Sequence, residues 1–189
     1  MTPKIPPKEL KATATILAFG DSLTFGYGVL PHESYPARLE QRIHRKVINA
    51  GIPGELSDEG AKRLPSMLEM YHPDVLLLCH GGNDILQKKS EASVRHNIEH
   101  MVRLAQTRHI DVILIGVPKF SLLHLSSLPL YKEIAKQYHL PIEADILPYL
   151  LRNNHYKHDW IHPNANGYEK MAEAIEKVLR DQYRFKESE

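Results

Sequence analysis

The chain has 189 residues, a length that suits one domain with a core of ordinary size. Its 24 basic and 23 acidic side chains nearly cancel, and no long single-sign run appears, which argues against nucleic acid as the main partner. The lone Cys79 excludes an intrachain disulfide, and no apolar run approaches the ~20 residues that span a bilayer. Twelve histidines are many, but scattered ones such as His44, His72 and His109 read as surface residues. The opening eight residues lack the apolar core of a signal peptide. The chain as written is therefore expected in the cytoplasm, and in the periplasm or outside the cell if a leader has been removed.

Residues 1–13 form a polar, proline-rich lead-in, and 14–185 are expected to form a single domain. The first apolar run, Thr15 to Phe19, is short and β-rich and reads as a buried strand closed by Gly20. Ser34 as cap, Pro36 in the first turn, and Leu39 and Ile43 four apart predict a helix. Lys46 to Ala50 is a second strand, followed by Gly51-Ile52-Pro53-Gly54. Ser57 starts a helix with Ala61, Leu64, Leu68 and Tyr71 on one face, and Pro73 ends it. Asp74 to Cys79 is the third strand, with Cys79 as a small buried side chain, and His80-Gly81-Gly82-Asn83-Asp84 follows. Ser90 to Arg108 is helical, Ile110 to Val117 is the fourth strand, and Pro118 to Pro129 is an irregular loop. A helix near Leu130 to Tyr138, a short fifth strand around Leu140 to Glu143, and a helix from about Ala165 to Tyr183 complete the chain. Strands separated by helix-length segments imply right-handed crossovers, hence an α/β protein with a parallel sheet and helices on both faces. The glycine-containing loops carrying Ser22, Gly54 and Asn83 each follow a strand, so all three emerge on the carboxyl edge, where such sheets meet ligands.

Ser22 is a candidate nucleophile there, although serine also serves as a plain helix cap. Asp159-Trp160-Ile161-His162-Pro163 offers a base and a group to orient it, since Asp-x-x-His spacing brings the carboxylate to Nδ1 and leaves Nε2 for a serine. The same stretch pairs His158 and His162 four apart beside Asp159, like a zinc-protease helix with Asp for Glu; no third ligand stands out nearby, although His155 is available. Pro163 disfavours α geometry at His162 and so weakens the metal alternative. The backbone N–H groups of Ser22 and Gly54 and the side-chain amide of Asn83 are candidate donors to an oxyanion. Taken singly, Gly54 and Asn83 also read as ordinary turn residues.

Gly20-Asp21-Ser22-Leu23, Gly54 after Asn49-Ala50-Gly51, Gly81-Gly82-Asn83-Asp84 and Asp159-Trp160-Ile161-His162-Pro163 resemble the ordered blocks of the SGNH (GDSL) hydrolase superfamily, nearest its small bacterial thioesterase, lysophospholipase and arylesterase branch. The resemblance implies a three-layer α/β/α, flavodoxin-like fold with a five-stranded parallel sheet in the order 2-1-3-4-5. It implies Ser22 as nucleophile, Asp159 and His162 as its partners, and Ser22, Gly54 and Asn83 as oxyanion-hole donors. The expected activity is cofactor-free serine esterase or thioesterase chemistry, without a metal, on short- to medium-chain acyl substrates. A carbohydrate O-deacetylase of the same superfamily and a non-catalytic small-molecule binding module are the alternatives. Phe120, Leu122, Leu123 and Leu125 would form an apolar substrate wall, or else pack beneath their loop as core. His162 must be neutral to act as base, so the rate should rise across the range where histidines titrate.

Overall fold

The structure is a computed structural model and describes residues 7–120 and 126–186. Five strands form one parallel sheet: β2 (Thr15–Gly20), β3 (Lys46–Gly51), β4 (Val75–Cys79), β5 (Asp111–Ile115) and β6 (Ile142–Glu143), in the spatial order β3-β2-β4-β5-β6. These are the five strands read from sequence, lying in the order 2-1-3-4-5. β2 and β4 are buried almost throughout, because helices cover both faces and leave no position for a polar side chain to reach water. The order reverses beside β2, which pairs with β3 on one side and β4 on the other. Such a switch point opens a crevice at the carboxyl ends.

Register decides where that crevice lies. Gly20 pairs with Gly51 of β3 and with Cys79 of β4, so the three strands end level and release their loops together. Gly20 is glycine for want of space: a Cβ there would lie 2.0 Å from the Cys79 carbonyl oxygen and 2.4 Å from Thr24 Oγ1.

The helices divide into two groups. α2 (Tyr35–Ile43) packs on α8 (Ala165–Gln182), while α3 (Ser57–Tyr71), α5 (Glu91–Gln106) and α6 (Pro129–Gln137) pack together. Arg42 staples the first pair, donating to Glu169 at 2.7 Å and to Glu176 at 2.6 Å. Among the described residues, no helix is long and apolar enough to cross a membrane.

Two features depart from the sequence expectations. The segment set apart as a lead-in supplies β1 (Lys8–Leu10), which pairs in parallel with β7 (Tyr183–Phe185), where the last helix was expected to end. Leu10 and Tyr183 are buried and join the same core cluster as the main sheet. A three-residue strand carries too little periodicity to be read, and its partner lies some 175 positions away in the chain. A further helix, α7 (Ile146–Arg152), buries Leu147, Leu150 and Leu151; its short apolar run and Pro148 hid it. Pro65 sits inside α3 without ending it, in keeping with the single helix read from Ser57 to Pro73.

Candidate active site

Ser22 opens α1 (Ser22–Phe25), a single turn directly after β2. The helix cap is Asp21, whose Oδ1 accepts from Leu23 N–H at 3.0 Å. The capping role considered for Ser22 therefore belongs to its neighbour, and the serine hydroxyl is available elsewhere. It meets the ring of His162, 140 positions away, at 3.0 Å between Oγ and Nε2. The other ring nitrogen, Nδ1, lies 2.8 Å from Asp159 Oδ2. An ionised carboxylate can only accept, so Nδ1 carries the proton and Nε2 presents its lone pair to the Ser22 hydroxyl.

Local chain geometry holds that imidazole. Asp159 Oδ1 accepts the backbone N–H groups of Ile161 and His162, both at 2.8 Å, folding the segment into a tight Asx-type turn rather than a helix. The carbonyl of His162 accepts from His158 N–H at 2.8 Å. Burial alone would raise the Asp159 carboxyl, but the His162 ring and the two backbone donors outweigh it and hold it below the ordinary carboxylate range. His162 itself is buried. Both of its ring nitrogens are engaged, while the His158 ring packs against Gly28 and edge-on to Tyr27. Among the described residues no group of three or more acidic, histidine or cysteine side chains is placed to hold a metal ion.

The other two loops converge on the same edge. Ile52 N–H donates to the Gly20 carbonyl at 3.0 Å, bringing the Ile52–Glu55 turn against the end of β2. Within that turn Gly54 adopts φ +82, a conformation that side chains rarely tolerate, and a Cβ there would meet nothing within 4 Å. Backbone conformation, not crowding, explains the residue. Asn83 lies in α4 (Gly82–Leu86), and its Nδ2 donates one hydrogen to the Glu55 carbonyl at 3.0 Å, leaving the second available. Asp84 beside it accepts from Ser57 N–H at 2.8 Å and from Ser57 Oγ–H at 2.7 Å, tying the start of α4 to the start of α3. The backbone N–H of Ser22, at the first turn of α1, has no intrahelical acceptor.

The sequence-expected substrate wall is represented by Phe120, which is half-buried and approaches Gly82, 3.8 Å from where its Cβ would stand. Leu122, Leu123 and Leu125 lie outside the described residues. Other apolar side chains stand exposed near the motifs in sequence: Phe25 at the end of α1, Leu86 at the end of α4, and Tyr27, Ile52 and Trp160 in loops. Tyr27 lies over the His162 ring with centroids 4.5 Å apart and planes inclined by 35°. Lys157 caps the Trp160 ring at 5.0 Å. Periodicity could not find these residues, since each stands in a loop or in a helix of five residues or fewer; their only signal was closeness in sequence to a motif. Asp21 was also passed over beyond its place in a motif. Its carboxyl is buried, with Oδ2 facing Gly82 but lacking a well-formed hydrogen bond, and burial raises its pKa.

The GDSL-like lipase/acylhydrolase family model matches residues 18–170. Thioesterase 1/protease 1/lysophospholipase L1 of Escherichia coli is 26% identical over 180 residues, covering 89% of this chain and 85% of the relative. An arylesterase of Vibrio mimicus is 25% identical over 183 residues, covering 89% of this chain and 90% of its own length. In fold, the chain is similar to the psychrotrophic esterase EstA from a Pseudoalteromonas species, in a crystal structure inhibited by monoethylphosphonate. That likeness has a TM-score of 0.78 at 22% identity and covers 88% of this chain and 97% of the other.

Proposed function

The chain belongs to the GDSL-like lipase/acylhydrolase family, and on that premise we propose that it hydrolyses carboxylic esters or thioesters of short- to medium-chain acyl groups through an acyl-enzyme on Ser22. The observation that carries this reading is the unbroken line from Ser22 Oγ to His162 Nε2 at 3.0 Å and from Nδ1 to Asp159 at 2.8 Å. Ser22 Oγ attacks the acyl carbonyl carbon while its proton passes to Nε2. The imidazolium so formed is stabilised by the Asp159 carboxylate, which stays ionised. The carbonyl π electrons move onto oxygen, and the N–H groups of Ser22 and Gly54 with the Asn83 amide are the donors assigned to that oxyanion. Collapse expels the alcohol or thiol, which takes the proton from Nε2. Water, deprotonated by the same nitrogen, then releases the acid and restores the serine.

Supporting the acyl side of this reading, relatives carry the names thioesterase, lysophospholipase and arylesterase. Tyr27, 4.5 Å from the His162 ring, and the exposed Phe25, Ile52, Leu86 and Trp160 of the segments that carry the site residues present apolar surface, which suits an acyl or aryl group better than a sugar. The test is a panel of p-nitrophenyl esters of rising chain length, an acyl-CoA, a lysophospholipid and an acetylated sugar, each with the unaltered chain and with Ser22→Ala. Loss of turnover by about 10⁵–10⁶-fold is expected in the variant, together with loss of fluorophosphonate labelling. Unchanged hydrolysis by Ser22→Ala would falsify the acyl-enzyme. A binding module would show no turnover in either form, and a deacetylase would act on the sugar alone.

A further inference from the structure

Beneath the two loops assigned as oxyanion donors lies a buried ionic cluster that the triad does not use. Glu55, directly after Gly54, is nearly inaccessible, with its side chain 6% exposed. Arg63 of α3 grips both its oxygens, Nε to Oε1 at 2.6 Å and Nη2 to Oε2 at 2.6 Å. The guanidinium also donates to the Ala50 carbonyl at 3.0 Å and stands 4.1 Å over the Phe19 ring, so it is fixed by β3 and β2 as well. From the end of β4, the fully buried His80 brings Nε2 to within 3.0 Å of Glu55 Oε2. Its Nδ1 accepts the Gly81 N–H at 3.0 Å, so the ring hydrogen is on Nε2 and points at Glu55. Tyr131 holds the His80 carbonyl at 2.7 Å, and α3 approaches so closely that a Cβ on Gly60 would lie 2.4 Å from Nε2.

We propose that Glu55, clamped by Arg63 and His80, is a positioning residue that sets the Gly54 N–H and the Asn83 amide against one another as a single oxyanion-binding unit. This rests on the acyl-transfer reading above. Covalently, Glu55 carries Gly54; through its carbonyl it accepts one Asn83 hydrogen at 3.0 Å, which orients the amide and directs the second hydrogen away from the turn. Through its side chain it ties that turn to α3 and to the end of β4, which leads into the Asn83 loop. Burial raises the Glu55 carboxyl, yet Arg63 and His80 outweigh burial and hold it below its ordinary value, so the clamp is charged. Stability alone is a poor reason for such a cluster, because buried ion pairs are often matched by apolar side chains of similar volume. Precision is a better one: a displacement of about 1 Å in a positioned group can remove about 10²-fold of rate.

The experiment compares Glu55→Gln and Arg63→Lys with the unaltered enzyme. The first keeps the shape without the charge, and the second keeps the charge without the fork. Concentrations are set by fluorophosphonate active-site titration, so that misfolded protein is not counted. A clamp predicts kcat per titrated site down by about 10–100-fold in Glu55→Gln, with KM within about twofold and affinity for a reversible alkyl boronic acid, a tetrahedral mimic, falling in parallel. Arg63→Lys should lie between. A lowered Tm with kcat per site and boronate affinity unchanged would overturn the proposal and leave the cluster purely structural. If Glu55→Gln yields no folded protein, Arg63→Lys decides by the same two readouts. Failure here is separable from failure of the acyl-enzyme, which is judged by Ser22→Ala alone.

Discussion

The two ends of the central sheet hold similar residue types and use them differently. At the amino end an open cavity of about 780 Å³ is lined by Lys8, Leu10, Asp74, Asp111, His72 and Tyr183 among others. Asp74 and Asp111 there are spent on the chain itself. Asp74 accepts Thr15 N–H at 2.8 Å, and Asp111 takes the Tyr183 hydroxyl at 2.8 Å and Lys8 at 2.5 Å. Each contact joins one strand end to another, and none passes a proton toward an open group. At the carboxyl end, Asp159 also binds its own backbone, but its second oxygen holds an imidazole whose far nitrogen meets a serine hydroxyl. Charge and carboxylate contacts are common to both ends. What separates them is whether a line of hydrogen bonds finishes on a nucleophile.

The comparison breaks most sharply at Asp159. Asp159→Asn should lower kcat by about 10⁴-fold, because the amide favours the wrong imidazole tautomer while preserving shape; steady-state kinetics on a p-nitrophenyl ester reads it. The same variant carries a pH signature in stability. Because the folded carboxyl titrates below its ordinary value, its stabilisation is present above the unfolded carboxylate range and is lost as pH falls through the folded value. The Tm gap between Asp159→Asn and the unaltered chain should therefore be open near neutrality and close in acid. Its size is small, since the carboxylate is 38% exposed.

Asn83→Ala should follow, with kcat down by about 10²–10³-fold and KM little changed, as expected for a donor used mainly in the transition state. A matching rise in KM with kcat intact would assign Asn83 to substrate binding instead. The smallest catalytic effect is expected at the other end. Leu10→Ala removes a buried side chain from β1 and should cost about 2–3 kcal/mol in denaturant unfolding, toward the low end for a core leucine because the strand is terminal. Its kcat should equal that of the unaltered chain. A loss of turnover there would mean that the two ends are coupled.

The sheet and the candidate proton-passing side chains were both legible in short stretches of sequence. β2, β4 and β5 announce themselves as apolar runs, and Ser22, Asp159 and His162 sit in short motifs whose spacing limits what they can reach. The helix read over Ser90 to Arg108 is likewise present as α5, and Val94, Ile98, Met101, Val102 and Ala105, apolar at helical spacing, form its buried face. Less was visible wherever a residue takes its role from a distant partner. Glu55 is an unremarked acid until Arg63 and His80 close on it, and Tyr27 is a loop tyrosine until it covers His162.

By itself, then, the amino-acid order determined the five strands of the main sheet, most of its helices and the edge that collects the loops, and its short motifs singled out Ser22, Asp159 and His162 as candidates. The elements follow from periods of two and 3.6 residues and from glycine placement, all local properties, whereas the three side chains follow from the Asp-x-x-His spacing and the resemblance of short blocks to a known family. Tertiary structure alone decided that β1 meets β7, that Asp21 and not Ser22 caps α1, and that the Gly54 and Asn83 loops are joined through Glu55. These contacts depend on how closely separate surfaces approach once the core has formed, and no local pattern encodes that distance.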